Sequence, residues 1–432
     1  MTHQKFHLAY FTKFGATAWP GTGQFGSTWA DGAFHVELAK KLERAKLDFL
    51  LFEDSVTISD KYGGSMELDL KHAVYAPKHD PLPLLPMIAQ GTSNIGLIAT
   101  ASTSFYPPFL LARLYSTLDS LTRGRVGWNL VTSSETTAAQ NFGMDQLPPH
   151  AERYARAEEY VELVRQLWDS WEEGALVEDT ETGVYVDHTK VHTVDFNGEY
   201  YRSRGPLNTL RSPQGRPVIA QAGASSRGRD FAAKNAEVVV APMAGGIAGM
   251  KALREDIRGR AQSFGRNPDD IRVFFLTPLF AFTSGGEPEA PSEQAQQAQL
   301  EYGMVMLSST TDVDFSKLDL DTPVPEDLEG GGHTSIIDVF KELGRQGMTL
   351  REAMYSGMGG DQYGLAGTPA QIAERLIAIM DEVGGDGFLI EGAGLTPYVD
   401  VLVDELVPAL QKADVVRTEY AGTTLREVLH EF

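Results

Sequence analysis

The sequence contains no cysteine among its 432 residues. This absence excludes disulfide bonds, thiolate metal sites and a cysteine nucleophile. Long apolar runs are also missing, since none approaches the ~18 residues that a membrane span needs. The first residues, MTHQKFHLAYF, lack the basic start, apolar core and cleavage site of a secretory signal. We therefore expect a cytoplasmic protein without membrane association.

Basic side chains are few relative to acidic ones. The chain has 37 Lys and Arg against 59 Asp and Glu, which gives a formal charge of -22. This charge repels nucleic acid and anionic membranes, so neither is predicted as a partner. The acidic residues are spread along the chain without a long block, which is typical of a solvated surface.

Common nucleotide and metal motifs are absent or out of context. The sequence has no P-loop (GxxxxGKS/T) and no HExxH. Gly21, Gly23 and Gly26 spell GxGxxG, but they lie well past the first predicted strand and open no helix, as a Rossmann turn would. His188 and His192 are four residues apart in a stretch that reads as extended, where their rings are too far apart to share an ion. No metal site is predicted.

Eight buried strands, with helical segments between them, are predicted along the chain. They lie near residues 6, 48, 95, 126, 217, 237, 272 and 387. Eight alternating units favour a closed (β/α)8 TIM barrel with insertions over an open sheet. We expect a single domain over 1–432, with excursions at 55–86, 172–216 and 282–365. Long insertions of this kind usually serve as lids or oligomer contacts.

The stretch from Gly124 to Gly143, GRVGWNLVTSSETTAAQNFG, is the most informative part of the chain. An apolar run ends at Asn129, Thr132 and Ser133, at the end where a barrel strand presents its ligand-binding groups. Asp54 follows the second strand in the same way, and it could accept from the N–H edge of a bound ring or hold a loop. Hydroxyl groups after the third strand, beginning with Ser102, could serve ligand carbonyls or cap the next helix.

Two further features favour a phosphate site. Residues 222–229, AGASSRGR, form a small-residue turn that leads into a helix, whose backbone N–H groups can bind phosphate with help from Ser225 and Ser226. Arg227 or Arg229 could neutralise that phosphate or lie in solvent. His150 and Tyr154 project from one face near the N-terminus of another helix, as a phosphate or ring contact or as structural residues.

Aromatic residues are concentrated in the loop after the first strand. Trp19, Phe25 and Trp29 could wall a substrate pocket, because aromatic rings supply much of the apolar lining of ligand clefts. Packing within the loop is the alternative.

Several segments carry a family resemblance when they are taken together. They are LERAKLDFLLFED, SFYPPFLLARLYSTLDSLTRGRVGWNLVTS, NFGMD, HAERYARAEEY, SPQGRPVIAQAGASSRGR, GTPAQIAERL and RTEYAGTTLREVL. Over nearly its whole length the chain resembles the flavin-dependent monooxygenases that act on nitrilotriacetate, EDTA and dibenzothiophene sulfone, a branch of the bacterial luciferase-like superfamily. The stretch KFGATAWPGTGQFGSTW and the insertion around residues 286–332 match no single member, so the resemblance does not predict the substrate.

The resemblance implies an FMN site at the C-terminal mouth of the barrel. It implies FMNH2 delivered by a separate NAD(P)H:flavin reductase, O2 as co-substrate, and a homodimer or homotetramer. His150 is the nearest candidate for a catalytic acid or base. The implied flavin contacts are Asp54, Thr100 and Ser102 along the ring, Asn129 beside it, and His150, Tyr154, Ser225 and Ser226 near the ribityl chain and phosphate.

The expected function is therefore a two-component, FMNH2-dependent monooxygenase that cleaves a C–N or C–S bond of a small organic substrate. A relative on the same fold that converts riboflavin to lumichrome provides one alternative. A deazaflavin-dependent oxidoreductase and a non-catalytic flavin-binding protein are two others. Fold alone does not decide among them.

Overall fold

Eight parallel strands close into a barrel in the computed structural model. The structure describes residues 3–16, 28–223, 225–277, 280–283, 292–332, 334–359, 363–392 and 397–432. All strands of this part of the chain, in order, are β1 Phe6–Lys13, β2 Phe49–Glu53, β3 Gly96–Ser102, β4 Val126–Val131, β5 Leu176–Asp179, β6 Val184–Val186, β7 Phe196–Asn197, β8 Arg202–Ser203, β9 Val218–Ala222, β10 Val238–Pro242, β11 Arg272–Thr277, β12 Ala281–Phe282, β13 Ala366–Gly367 and β14 Asp386–Glu391. Around the barrel the order is β1, β14, β11, β10, β9, β4, β3 and β2. The predicted (β/α)8 barrel is confirmed.

The barrel strands are buried on both faces, as parallel sheets covered by helices are. Every residue of β3 is buried, for example. One apolar cluster, including Phe49, Ile98 and Phe274, also contains Leu425 and Leu429 from the end of the chain. A Cβ on Gly96, at the start of β3, would lie 2.4 Å from Leu425 Cδ1. The last helix therefore packs tightly against the amino ends of the strands, which we call the base of the barrel.

Helices alternate with the strands and add their apolar faces to the larger core cluster. No helix within the described ranges combines the length and apolar character that a membrane span requires. The helices are α1 Ala33–Arg44, α2 Glu67–His72, α3 Leu84–Gly91, α4 Pro108–Thr122, α5 Thr136–Asn141, α6 His150–Trp168, α7 Ser226–Asn235, α8 Gly246–Ser263, α9 Glu293–Thr311, α10 Thr334–Arg345, α11 Leu350–Gly359, α12 Pro369–Val383, α13 Pro397–Val401, α14 Val407–Lys412 and α15 Leu425–Leu429, with a π-helical turn at Leu402–Leu406 between α13 and α14.

The excursions have structure of their own. Residues 172–216 contain two antiparallel hairpins, β5 with β6 and β7 with β8. The third excursion contains α9, a helix of 19 residues that was not predicted from the sequence. Its Ser292 side chain caps the helix by accepting from the backbone N–H of Ala295.

The first and third excursions pack on each other. Glu301 of α9 lies 2.7 Å from the Lys71 ammonium and 2.6 Å from the His72 ring, both on α2. Val305 of α9 packs with Val74 and Tyr75 in a small apolar cluster. The third excursion therefore supports a wall at the carboxyl ends of the strands, which we call the mouth of the barrel.

Candidate active site

A cavity of ≈ 540 Å³ opens at the mouth, beyond the end of β2. We call it the mouth cavity. Its volume is in the range of small-molecule sites. Its walls come from the loop after β2, from the segment around the α2–α3 connection, and from single residues after β3 and on α5. They are Asp54, Ser55, Val56, Thr57, Ile58, Leu70, Tyr75, Ala76, Pro77, Lys78, His79, Asp80, Tyr106 and Asn141.

Asp54 lies in this cavity directly after β2, as the sequence predicted for its position on the chain. Burial is the main reason that the pKa of its carboxyl rises to about 7. The charge of Lys78 lowers this pKa, and the charges of Glu53 and Asp80 raise it. At neutral pH the carboxyl is therefore close to half protonated. A group of this kind in a cleft can both hold and release a proton.

The positive charge nearest to Asp54 is already engaged. Lys78, whose side chain is 5% exposed, lies 2.8 Å and 3.0 Å from the two carboxylate oxygens of Glu53. It also donates to the Ser55 hydroxyl at 2.8 Å. Burial lowers the pKa of the neighbouring Lys13 to about 8. Lys78 is thus shared with Glu53, and among the described residues no cation forms an ion pair with Asp54.

A chain of hydrogen bonds joins the ends of three neighbouring strands. The Asn129 side-chain amide on β4 donates to the Thr100 hydroxyl on β3 at 2.8 Å. That hydroxyl in turn donates to the Phe52 carbonyl on β2 at 2.8 Å. The carbonyl oxygen of the Asn129 side chain is buried and has no hydrogen-bond partner among the described residues. A buried acceptor of this kind is costly unless a ligand donor reaches it.

Gln221, near the end of β9, presents a second buried side-chain acceptor. It is 3% exposed and its side-chain carbonyl oxygen has no hydrogen-bond partner within the described ranges. In the sheet, Gln221 of β9 is paired in register with Leu130 of β4, the residue after Asn129. The Gln221 side chain hydrogen-bonds the Tyr154 hydroxyl. Burial raises the pKa of Tyr154, and this hydrogen bond opposes that rise. The sequence analysis missed Gln221, although a polar residue in the apolar strand PVIAQA was a usable signal.

A tight turn follows β9 and leads into α7. The Ser225 hydroxyl caps α7 by accepting from the backbone N–H of Gly228 at 3.0 Å. A Cβ on Gly228 would lie 3.0 Å from both Gly223 Cα and the Tyr154 hydroxyl. These three residues, Gly223, Ser225 and Gly228, form what we call the glycine cradle. The N-terminus of α7 therefore has the open, small-residue backbone that an anion can approach.

The two arginines of this turn point to other partners. Arg227 pairs with Glu158 of α6 at 3.0 Å, and Arg229 with Asp256 of α8 at 3.0 Å. Arg227 is also exposed to solvent, one of the two alternatives that the sequence left open, and a phosphate contact by either arginine stays a prediction. Ser226, the first residue of α7, is exposed at the same turn.

The remaining predicted residues do not line the mouth cavity. Ser102, at the end of β3, accepts from the Ser133 hydroxyl at 2.8 Å. His150 begins α6, is exposed, and its ring lies 4.9 Å from the ring of Tyr154. Trp29 is buried, and its ring lies 5.0 Å from that of His79, which lines the cavity. The predicted pocket residues Trp19 and Phe25 lie outside the described residues.

The predicted residues follow one arc of the mouth. Asp54, Thr100, Asn129 and Ser225 lie after or at the ends of β2, β3, β4 and β9, which are consecutive neighbours in the barrel. We call this the polar arc. Among the described residues, no group of three or more His, Asp or Glu side chains is arranged to hold a metal ion. The unsatisfied acceptors of Asn129 and Gln221, followed by the glycine cradle, fit a flat heterocycle with N–H donors and a phosphate tail.

The comparison with known families decides the affiliation. The model of the luciferase-like monooxygenase family matches residues 6–387. The chain belongs to this family. The resemblance inferred from the sequence is thereby confirmed, and this luciferase-like monooxygenase is a flavin-dependent monooxygenase that uses reduced flavin and O2.

Curated relatives of this luciferase-like monooxygenase match along almost the entire chain. It is 37% identical to dibenzothiophene-sulfone monooxygenase of Rhodococcus erythropolis (strain XP), over 99% of this chain and 97% of the relative. It is 38% identical to N-acetyl-S-(2-succino)cysteine monooxygenase of Bacillus subtilis (strain 168), over 94% of each chain. It is also 38% identical to nitrilotriacetate monooxygenase component A of Aminobacter aminovorans, over 92% and 90%.

Solved structures agree with this affiliation. DmoA from Hyphomicrobium sulfonivorans is 33% identical and superimposes with a TM-score of 0.85, covering 99% of this chain and 93% of that one. A riboflavin lyase, in complex with modified FMN and riboflavin, is 27% identical with the same TM-score of 0.85, covering 99% and 96%.

Proposed function

We propose that this protein is an FMNH2-dependent monooxygenase that oxygenates a small organic substrate and cleaves its C–N or C–S bond. The observation that carries the proposal is the pair of buried side-chain acceptors of Asn129 and Gln221, which lack a hydrogen-bond partner among the described residues and lie along the strand ends that lead to the glycine cradle. FMN has the matching groups, namely ring N–H donors at one end and a phosphate at the other. Three relatives with names that denote sulfur or nitrogen compounds support this class of substrate.

In this proposal residues of the polar arc would hold the flavin ring. The side-chain oxygens of Asn129 and Gln221 would accept from its N–H groups, which would remove the cost of leaving these acceptors buried and unpaired. Thr100 holds the Asn129 amide by accepting its N–H, so the free oxygen is fixed toward the ligand. Ser102 lies two residues after Thr100 on β3, on the same face of the strand.

The phosphate occupies the glycine cradle. Backbone N–H groups at the start of α7 and the hydroxyls of Ser225 and Ser226 are the donors, and the helix dipole favours the negative charge. Tyr154 closes this end, since its hydroxyl lies against Gly228. His150, whose ring contacts Tyr154, belongs to the phosphate side in this proposal and not to the reacting side. This assignment favours FMN over riboflavin, which has no phosphate.

The substrate occupies the mouth cavity beside the flavin. Asp54 is the proton-carrying group there, because its pKa of about 7 allows it to give or take a proton at neutral pH. Tyr106, whose pKa burial raises to about 12, stays neutral and supplies a hydroxyl donor. The packing of the third excursion against Tyr75 helps to exclude water.

The proposed reaction consists of oxygenation of the substrate followed by cleavage of its C–N or C–S bond. When bound, the reduced flavin supplies two electrons and two protons, so that one oxygen atom of O2 enters the substrate and the other leaves as water. Hydroxylation of the carbon next to nitrogen or sulfur gives a carbinol. That carbinol loses its hydroxyl proton and expels the amine or thiol, which takes up a proton, leaving a carbonyl compound. Asp54 is positioned to move this proton.

A separate NAD(P)H:flavin reductase supplies the FMNH2. The Aminobacter aminovorans relative is named as one component of its enzyme, which is the pattern expected when a second protein reduces the flavin. We expect no turnover with NAD(P)H and FMN alone. Addition of an unrelated NAD(P)H:flavin reductase is expected to start turnover, because free FMNH2 is what passes between the proteins.

The decisive experiment mixes the protein with FMNH2 under anaerobic conditions and then adds O2 in a stopped-flow spectrometer. The panel contains sulfones, thioethers, aminopolycarboxylates and riboflavin. A flavin–oxygen signal that decays faster with one compound, together with an oxygenated and cleaved product, supports the proposal and names the substrate class. Oxidation at the rate of free FMNH2 with every compound contradicts it.

Riboflavin cleavage to lumichrome is the second candidate. The riboflavin lyase structure superimposes as well as that of DmoA, with a TM-score of 0.85 in each case. Riboflavin would then occupy the mouth cavity as substrate while FMN lies along the arc. Lumichrome formation from riboflavin with FMNH2 and O2, and no product from the sulfur and nitrogen compounds, would favour this candidate.

A further inference from the structure

A second cavity, of ≈ 720 Å³, lies at the base of the barrel, at the end away from the mouth. We call it the base cavity. Pro217, Glu237 and Asp270 in its lining come just before β9, β10 and β11, and Trp168 and Asn235 end α6 and α7. The cavity is therefore formed by strand starts and helix ends, and it shares no lining residue with the mouth cavity.

The lining of the base cavity is basic, although the chain as a whole carries a charge of -22. Six cationic side chains face three carboxylates. The cations are Arg165, Arg211, Arg216, Lys234, Arg266 and Arg426. The carboxylates are Asp169, Glu237 and Asp270. A concentration of positive charge against the trend of the molecule is a feature that attracts anions.

Two of the carboxylates are already fully used. Arg216 pairs with Asp169 through two nitrogens, one of them at 2.7 Å. Arg426 pairs with Glu237 through two nitrogens, at 2.6 Å and 2.9 Å. Paired guanidinium and carboxylate groups of this geometry neutralise each other. The other arginines must therefore find their negative charge elsewhere.

Arg165, Arg211 and Arg266 have no carboxylate within ion-pairing distance in the described part of the chain. Each caps a backbone carbonyl instead, of Asn235, Trp171 and Ala233 respectively. These caps use one or two of the five N–H donors of a guanidinium and leave the others for a ligand. Burial, and then the charges of Arg216 and Arg266, lower the pKa of Arg165 to about 10.

We propose that the base cavity binds a small, multiply charged oxyanion, a phosphate ester or a polycarboxylate, between Arg165, Arg211 and Arg266. The planar guanidinium fork matches both kinds of anion. The cavity has room for a metabolite-sized ligand. Asp270 and Lys234, both exposed, mark the side on which the cavity meets solvent. The site is independent of the function proposed for the mouth.

The test measures binding of inorganic phosphate and of citrate to the full-length protein by isothermal titration calorimetry, at an ionic strength held constant with NaCl. We expect saturable binding at one site by at least one of the two anions. The double variant R211Q/R266Q is expected to weaken it at least tenfold. The matched control, R113Q, removes an exposed arginine of α4 outside the cavity and is expected to leave binding unchanged.

Phosphate could also bind at the glycine cradle, so S225A serves as the second control. Binding that survives S225A and is lost in R211Q/R266Q supports the base site, whatever the outcome for FMN. Binding that is lost in S225A and kept in R211Q/R266Q overturns the proposal of a base site. The absence of saturable binding by both anions also overturns it. If the double variant does not fold, K234Q, which changes an exposed lysine, is expected to weaken binding about threefold, and unchanged affinity overturns the proposal.

Discussion

An aspartate lies at each end of strand β2, and the two differ in burial and in charge. Asp48, just before the strand at the base, is 2% exposed, accepts from the backbone N–H of Leu8 at 2.9 Å and from the His7 ring at 2.6 Å, and pairs with Arg417 at 2.9 Å. Asp54, just after the strand at the mouth, lies near Lys78, which is paired to Glu53.

Burial alone raises the pKa of a carboxyl. At Asp48, Arg417, His7 and the hydrogen bonds outweigh burial, and the pKa lies below its ordinary value of 3.8. At Asp54 burial prevails, and the pKa rises to about 7. The groups around each aspartate therefore decide its role. Asp48 is a structural carboxylate, whereas Asp54 is available for proton transfer.

The largest expected effect concerns the pairing at the base. Arg417→Ala leaves Asp48 buried without its main cationic partner, and we expect a loss of about 3–5 kcal/mol in the free energy of unfolding. Urea unfolding of the variant and of the unchanged protein measures this difference in the free energy of unfolding. The matched control is Arg44→Ala, which removes an exposed partner of Asp404 and should cost less than about 1 kcal/mol. Equal losses in the two variants would remove the distinction between the buried and the exposed pair.

The second prediction concerns the polar arc at the mouth. Asn129→Leu removes an unsatisfied acceptor, and we expect FMN to bind about tenfold more weakly, or about 1.4 kcal/mol. Flavin fluorescence during titration measures the dissociation constant. Asn267→Ala, which changes an exposed asparagine remote from the arc, is the control. Unchanged affinity in Asn129→Leu would separate the arc from flavin binding.

The third prediction sharpens the phosphate end of the arc. Gly228→Ala brings a methyl group to 3.0 Å from Gly223 Cα and the Tyr154 hydroxyl, so the glycine cradle narrows. We expect FMN affinity to fall by on the order of 1 kcal/mol, with little change for riboflavin. Gly259→Ala, on α8 with nothing near its added Cβ, is the control for a helical glycine. An equal loss for FMN and riboflavin would argue against a phosphate in the cradle.

The last prediction concerns the pH dependence of stability. Because the pKa of Asp54 is about 7 when folded and 3.8 ordinarily, its contribution to stability is present below about pH 4 and is lost as pH rises through about 7. Asp54→Asn should flatten this decline in a plot of melting temperature against pH. Asp80→Asn should move the decline to lower pH, since the Asp80 charge raises the pKa of Asp54. A decline that persists unchanged in Asp54→Asn would assign it to another group.

Much of the fold was predictable because barrel strands are short apolar runs that end in polar residues. The eight strand positions and helices such as Pro369–Val383 follow from such patterns. Helix α9 was missed because it follows a Gly- and Pro-rich stretch and contains Gly303, although its Glu, Gln and Ala residues are good helix formers. Local composition does not show where such an insertion packs.

The candidate site could be predicted best where polar residues lie at strand ends. Asp54, Asn129 and Ser225 were predicted in this way, and the structure brings their strand ends together along one arc, while their roles stay predictions. Lys78 and Tyr106 line the mouth cavity from loops, so only the folded chain brings them near Asp54. The raised pKa of Asp54 likewise depends first on its burial and then on the charges of Lys78, Glu53 and Asp80 around it, which spacing along the chain cannot reveal.

The most direct test measures FMN affinity and unfolding free energy on the same two variants, Asn129→Leu at the mouth and Arg417→Ala at the base. We predict that Asn129→Leu loses about tenfold in FMN affinity with a small change in stability, and that Arg417→Ala loses about 3–5 kcal/mol of stability with near-normal affinity where it is folded. If Arg417→Ala weakens FMN binding as much as Asn129→Leu does, the flavin site is not the polar arc at the mouth.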